Sequence, residues 1–243
     1  WVANAGTTAS NGNGSISSTV QVNQTAGFSI VQWTSTGSNA TVGHGLSTAP
    51  SFILGKVLTR TDNWIVGHHQ QSSTPWNNAT FLSVSDSQYT SAAYWNNTAP
   101  TSTVFTTGTW WYSSEDYIAY CWHEVDGFSK FGTYTGSGNA NGPFVFTGFK
   151  PAWIMIKNAG ATASWFMLDA ARNTFNPVEN WLVADDPQAE VVTSGDRKID
   201  FLSNGFKIRA TTTDFNGSSG NMIYMAFAEH PFVGDGTNPV TAQ

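Results

Sequence analysis

Charge is what this sequence most lacks. Asp, Glu, Lys and Arg make up 11% of its 243 residues, against roughly 25% in an ordinary globular domain. Most strong helix formers are scarce with them, which excludes long amphipathic helices as the main framework. Cysteine is almost absent. The single Cys121 rules out an intrachain disulfide and a thiolate zinc site. It lies in "YIAYCWHEV", apolar on both alternating faces, and is expected to be a buried, inert thiol. No apolar run approaches the roughly 20 residues that span a bilayer. The ten Lys and Arg residues are scattered, and the net charge is −6, so no basic patch is available for DNA or RNA. Neither a nucleic-acid partner, membrane insertion nor a cofactor is expected.

Gly, Ser, Thr, Asn and aromatic residues take the place of charge, including 11 Trp and 16 Phe. Short apolar runs such as "SFILGKVL", "AWIMIK" and "GFKIRA" alternate with turn-forming stretches such as "TGSGNANGP" and "FNGSSGN". The chain reads as all-β, built of β-sandwich or jelly-roll-like units.

The sequence also resembles itself. "GFSIVQWTSTGS" from Gly27 pairs with "GFSKFGTYTGS" from Gly127, and "APSFILGK" with "KPAWIMIK". Pro50 and Trp64 are spaced like Pro151 and Trp165. "FLSVSD" from Phe81 pairs with "WLVADD" from Trp181, and the region of Phe105 pairs loosely with that of Phe201. "YIAYCWHEVDGF" pairs with "MIYMAFAEHPF", placing Glu124 opposite Glu229. An offset of about 96 to 105 residues, held in order, points to an internal duplication of roughly 100 residues. The expected organisation is a Gly/Ser/Thr/Asn-rich lead, linker or edge strand at 1–26, a first sandwich at 27–128, a second at 129–232 and a tail at 233–243. Two tandem sandwiches are the first choice and two half-units closing one larger sandwich the second.

Glu124-Val125-Asp126 raises the possibility of an acid/base pair on a strand. The repeat argues against it, because Asp126 falls opposite Pro231 while Glu124 is matched by Glu229. A glucanase-like signature also needs a second Glu shortly after, and Gly127-Phe128-Ser129-Lys130 follows instead. Glu124 and Glu229 are read as structural, and no catalytic residue is assigned. His68 and His69, adjacent on a strand, point to opposite faces and chelate a metal poorly. Asp185-Asp186 and Asp235 read as turn residues, so no metal site is assigned either.

Aromatics matched between the halves (Trp64 with Trp165, Phe52 with Trp153, Phe81 with Trp181, Trp122 with Phe227) are expected in the core. Unmatched Trp76, Trp95, Trp110 and Trp111 sit among Asn, Ser and Thr. With Asn77, Tyr94, His68 and His69 they form the candidate binding set. It is either a platform on which sugar rings stack or a packing and subunit-contact surface.

The stretches "GFSIVQWTSTGSNATVGHGLSTAPSFILGK", "WNNTAPTSTVF", "YIAYCWHEVDGFSKFGTYTGSGNANGPFVFTGFKPAWIMIK" and "DFLSNGFKIRATTTDFN" resemble a domain of marine tailed-phage virion proteins. That domain often follows a concanavalin-like (laminin-G-like) sandwich in predicted tail fibres. The resemblance implies a non-enzymatic virion component, exposed on the particle as a tail fibre, spike or surface protein. It implies contacts with other virion proteins and, on an attachment organelle, with host-surface glycan. A homo-oligomer, a trimer by preference, is expected. The competing expectations are a purely architectural decoration protein and, less favoured, a polysaccharide depolymerase.

Overall fold

The computed structural model describes residues 7–192, 195, 197–218 and 220–229. It is all-β, with antiparallel sheets and, among the described residues, only short helical turns at Pro75–Asn77, Ala92–Trp95 and Thr213–Asn216. Two compact units divide the chain. One comprises Trp1–Leu82 with Gln88–Glu124, the other Ser83–Ser87 with Val125–Gln243.

The first unit holds β1 (Ala9–Asn11), β2 (Ser18–Asn23), β3 (Phe28–Thr34), β4 (Ala40–Gly43), β5 (Phe52–Val57), β6 (Ile65–His68), β7 (Asn78–Phe81), β8 (Tyr89–Thr90), β9 (Val104–Thr107) and β10 (Asp116–Trp122). Eight strands form one sheet in the order β1-β2-β3-β10-β5-β6-β7-β8, and β4 pairs with β9 in a second. Period-two alternation selects the inner face: Ser29, Val31 and Trp33 lie opposite Cys121, Ala119 and Tyr117, and these in turn opposite Ile53, Gly55 and Val57. All of these are buried, the glycine included. Cys121 is inert as read, its thiol pushed up by burial.

The second unit holds β11 (Ser129–Thr135), β12 (Phe144–Phe146), β13 (Pro151–Asn158), β14 (Phe166–Asp169), β15 (Leu182–Val183), β16 (Ile199–Leu202), β17 (Gly205–Ile208) and β18 (Asn221–Ala228). Its sheets run β11-β18-β13-β14-β15 and β12-β17-β16. One apolar cluster takes Ile154, Phe166, Leu168 and Tyr224 from the first sheet and Val145, Phe201, Phe206 and Ile208 from the second, the arrangement of a β-sandwich.

The same pairings recur in both units. Phe52 lies opposite Trp122 and His68; Trp153, 101 positions on, lies opposite Phe227 and Asp169. Lys56 and Lys157 obey this relation too, and each donates its ammonium to a backbone carbonyl six residues ahead, of Asp62 and Ala163 respectively. Lys157 is fully buried and also donates to Ser85 O at 2.9 Å. Burial lowers its pKa to about 8 against the opposing pull of Asp185 and Asp86. Each lysine thus clips the loop that follows its own strand.

Several sequence alignments shift. Phe28 faces Trp122 whereas Ser129 faces Phe227, so the counterpart of Phe28 is Ser129 rather than Phe128. Ile65 faces Phe81 and Phe166 faces Val183, which moves the partner of Phe81 from Trp181 to Val183. Val42 faces Phe105 as Val145 faces Phe206, which replaces Phe201 as its partner. Shared words mark the right strands but miss small insertions in the turns between them. The unit boundary falls at 124/125 rather than 128/129, and segment 83–87 belongs to the second unit. Of the two readings of the lead, edge strand is the one seen: Ala9–Asn11 and Ser18–Asn23 extend the first sheet. The tail at 233–243 lies outside the described residues.

Candidate functional site

The candidate aromatics come together, but most of them point inward. Ser91 caps the single turn Ala92–Trp95 by accepting from Ala93 N–H at 3.1 Å, and Asn96, at φ 49°, closes it. That turn sends Trp95 inward, fully buried, and leaves Tyr94 half-exposed. The stretch from Gly108 to Tyr112 runs against it. Gly108 N–H donates to Tyr94 O at 3.0 Å and Trp110 N–H to Ala93 O at 2.9 Å. A Cβ on Gly108 would sit 2.2 Å from Ala93 O, so only glycine allows this approach. Residues 110 to 112 then alternate. Trp111 is fully buried with Nε1 donating to Tyr94 O at 2.7 Å; Trp110 is half-exposed and Tyr112 is 39% exposed.

Inside, Trp76, Trp95, Trp111 and Trp33 form a chain of rings with centroids 5.4–5.7 Å apart, and Tyr117 packs on Trp111 at 5.0 Å. Trp76, Trp95 and Trp111 are therefore core, contrary to a platform role. His68 is also buried, its Nδ1 accepting from Gln70 N–H at 3.1 Å to end β6. His69 and Asn77 are half-buried. The adjacent imidazoles are 5.3 Å apart, centroid to centroid. The expectation that matched aromatics make the core also needs correction. Trp122, Trp165 and Trp181 are buried, yet Trp64 and Trp153 are half-exposed. Trp153 shares the outer face of its sheet with Phe227, which stands opposite it in register.

Outside, a different group remains. Phe81 is a buried base with Tyr89, Trp110 and Tyr94 around it at 5.5, 5.8 and 6.0 Å. Tyr112 continues the row 6.1 Å from Trp110, and the Arg60 guanidinium lies 4.1 Å above the Tyr112 ring. Tyr89 is 41% exposed. Partial burial raises the pKa of Tyr94, so its phenol stays neutral. The patch offers ring faces, phenol hydroxyls and one cation, which together can stack on a flat apolar face and hydrogen-bond its rim. Tyr89, Tyr112, Phe81 and Arg60 were missed from the sequence. Alternation along "TWWY" predicts that residues 110 and 112 share a side; Tyr89, on β8, and Arg60, in the loop after β5, are distant in sequence and leave no local signal.

The carboxylates at 124 and 229 each face a nitrogen of a basic side chain. Glu124 Oε1 lies 3.8 Å from His69 Nε2, and Glu229 Oε2 lies 2.7 Å from Lys150 Nζ. Asp185 accepts from Trp165 N–H at 2.8 Å and Asp186 from Gln188 N–H at 3.0 Å, the work of turn residues. Among the described residues no three His, Cys, Asp or Glu side chains gather to hold a metal. Nor is any described helix long and apolar enough to cross a membrane.

A family profile described as Domain of unknown function (DUF7483) matches residues 1–231. The chain belongs to the DUF7483 family. The match takes in residues of both units. Comparison with curated proteins and with solved structures finds no match to either.

Proposed function

We propose that this DUF7483 chain is a non-enzymatic structural component of a tailed-phage particle, built from a duplicated sandwich and displayed on the virion surface. In this reading it assembles as a homo-oligomer, a trimer by preference, beside other virion proteins, and its first unit contacts host-surface glycan. The resemblance to phage virion domains motivates the particle. The observation that carries the contact is the surface row Tyr89, Tyr94, Trp110 and Tyr112, seated on Phe81 and flanked by Arg60. Four partly exposed rings held in place by a buried fifth form a pre-organised surface that loses little side-chain entropy on binding.

The test is binding of the purified chain to host cells and to their extracted surface polysaccharide, with Trp110→Ala and Tyr112→Ala alongside. Saturable binding lost in both variants, with unchanged unfolding, supports attachment. Binding unaffected by either variant refutes this location.

A purely architectural role is the second reading, and β12 favours it. That strand lies at a sheet edge and exposes Phe144 and Phe146 on one side, where another chain would naturally pair and cover them. If the chain binds no host surface, and Phe146→Ser dissociates its oligomer, the architectural reading replaces attachment.

A further inference from the structure

A second feature lies in the second unit, in the loop after β14. Asp169 Oδ1 accepts from Ala171 and Arg172 N–H at 3.0 and 2.8 Å and opens the loop. Asn173 Oδ1 accepts from Glu179 and Asn180 N–H at 3.1 and 2.7 Å across it. The Asn176 amide then pairs with the Phe201 backbone at both ends, donating to O at 2.8 Å and accepting from N–H at 2.9 Å. Val178 closes the loop with a bridge to Ile199. Four fixed points in ten residues make this a rigid loop, yet its tip presents Phe175 86% exposed to water. No described large hydrophobic residue of the chain is more exposed.

Beside the ring is a cavity of about 310 Å³, whose lining includes the apolar Phe175, Phe201 and Val178 and the polar Lys150, Glu229 and Thr174. This volume is at the small end of the roughly 300–1,000 Å³ of small-molecule sites. Lys150 and Glu229 neutralise each other at 2.7 Å, so the polar wall offers ammonium donors and carboxylate acceptors without net charge. A free anion or cation gains little there. A ligand with an apolar C–H face for Phe175 and hydroxyls that both donate and accept matches both walls.

We infer that this loop and cavity form a binding site for a neutral saccharide, separate from the aromatic row of the first unit. It is independent of the attachment reading and can stand or fall by itself.

Saturation-transfer NMR on the full chain tests it, using methyl glucoside, methyl galactoside and methyl mannoside as neutral probes and glucuronic acid and glucosamine as charged ones. At least one neutral glycoside should receive saturation on its ring C–H protons. Phe175→Ala, at an exposed site that leaves the fold intact, should weaken that binding by about tenfold. Lys150→Met should weaken it as well, and the Phe175→Ala loss should persist when Trp110→Ala is already present. Absence of transfer to every neutral probe overturns the inference, as does transfer only to a charged one or transfer insensitive to Phe175→Ala. Saccharide binding that depends on Trp110 alone overturns this site while leaving the attachment reading in place.

Discussion

Gly55 and Gly67 stand in the first unit where the second has Ile156 and Leu168, and the difference explains the unequal share of tryptophan. A Cβ on Gly55 would meet the Trp111 ring at 2.7 Å; one on Gly67 would meet Trp76 at 2.7 Å and Trp95 at 2.9 Å. The first unit empties two inner-face positions and fills the space with indoles from its loops. In the second, Ile156 and Leu168 occupy the face themselves, and Phe215 lies buried in the connection to the last strand, where the first unit has Trp111. A reverse exchange occurs one strand pair away. Val31 opposite Ala119 becomes Gly132 opposite Tyr224, with the phenol oxygen 2.5 Å from where a Gly132 Cβ would lie. Close-packed interiors conserve volume rather than side chains. One set of strand registers therefore carries two differently shaped cores.

The largest way to break this comparison is to empty the indole space. Trp95→Ala should destabilise the first unit by about 4 kcal/mol in denaturant unfolding, because no inner-face side chain can collapse into the void.

Acid should separate the units next. His44, buried in the first unit, accepts Leu46 N–H at Nδ1 (3.1 Å), so Nε2 carries the hydrogen that faces Thr101 O at 3.1 Å. Burial, aided by His123 and opposed by the Thr101 contact, lowers its pKa to about 4. Between pH 6.5 and about 4 the unfolded chain holds a proton that the folded one does not. First-unit stability should fall across that window as pH falls, by up to about 3 kcal/mol. Urea midpoints measured at pH 7 and pH 4 check this, and His44→Gln should flatten the difference.

The smallest effect compares the lysine clips. Lys157→Met takes the ammonium from Ala163 O and from Ser85 O, the latter keeping the Ala163 N–H, and should cost about 1.5 kcal/mol; Lys56→Met, at a half-exposed site open to water, should cost roughly a third of that. Equal losses in paired unfolding curves would show that burial does not distinguish the two.

Strand content was legible because period-two alternation is a local signal. The indole core was not. Trp76, Trp95 and Trp111 lie among Asn, Ser and Thr, and that polar setting reads as surface; what buries them is the absence of side chains at Gly55 and Gly67, on other strands. Small glycine-hosted exchanges leave no mark in a pairwise alignment of the halves. The surface row was half legible, through Tyr94 and Trp110. Tyr89 reaches it through the sheet order that sets β8 beside β7, and Arg60 through the loop that follows β5.

A double-mutant cycle on Gly55→Ile and Trp111→Phe tests the exchange of volume most directly, since together they approach the second unit's solution. Gly55→Ile alone should cost about 3 kcal/mol and Trp111→Phe about 2 kcal/mol. The double variant should cost at least 1 kcal/mol less than their sum, roughly the coupling expected of residues in contact. Strict additivity would contradict the account, leaving the glycine and the indole as unrelated features of the first unit.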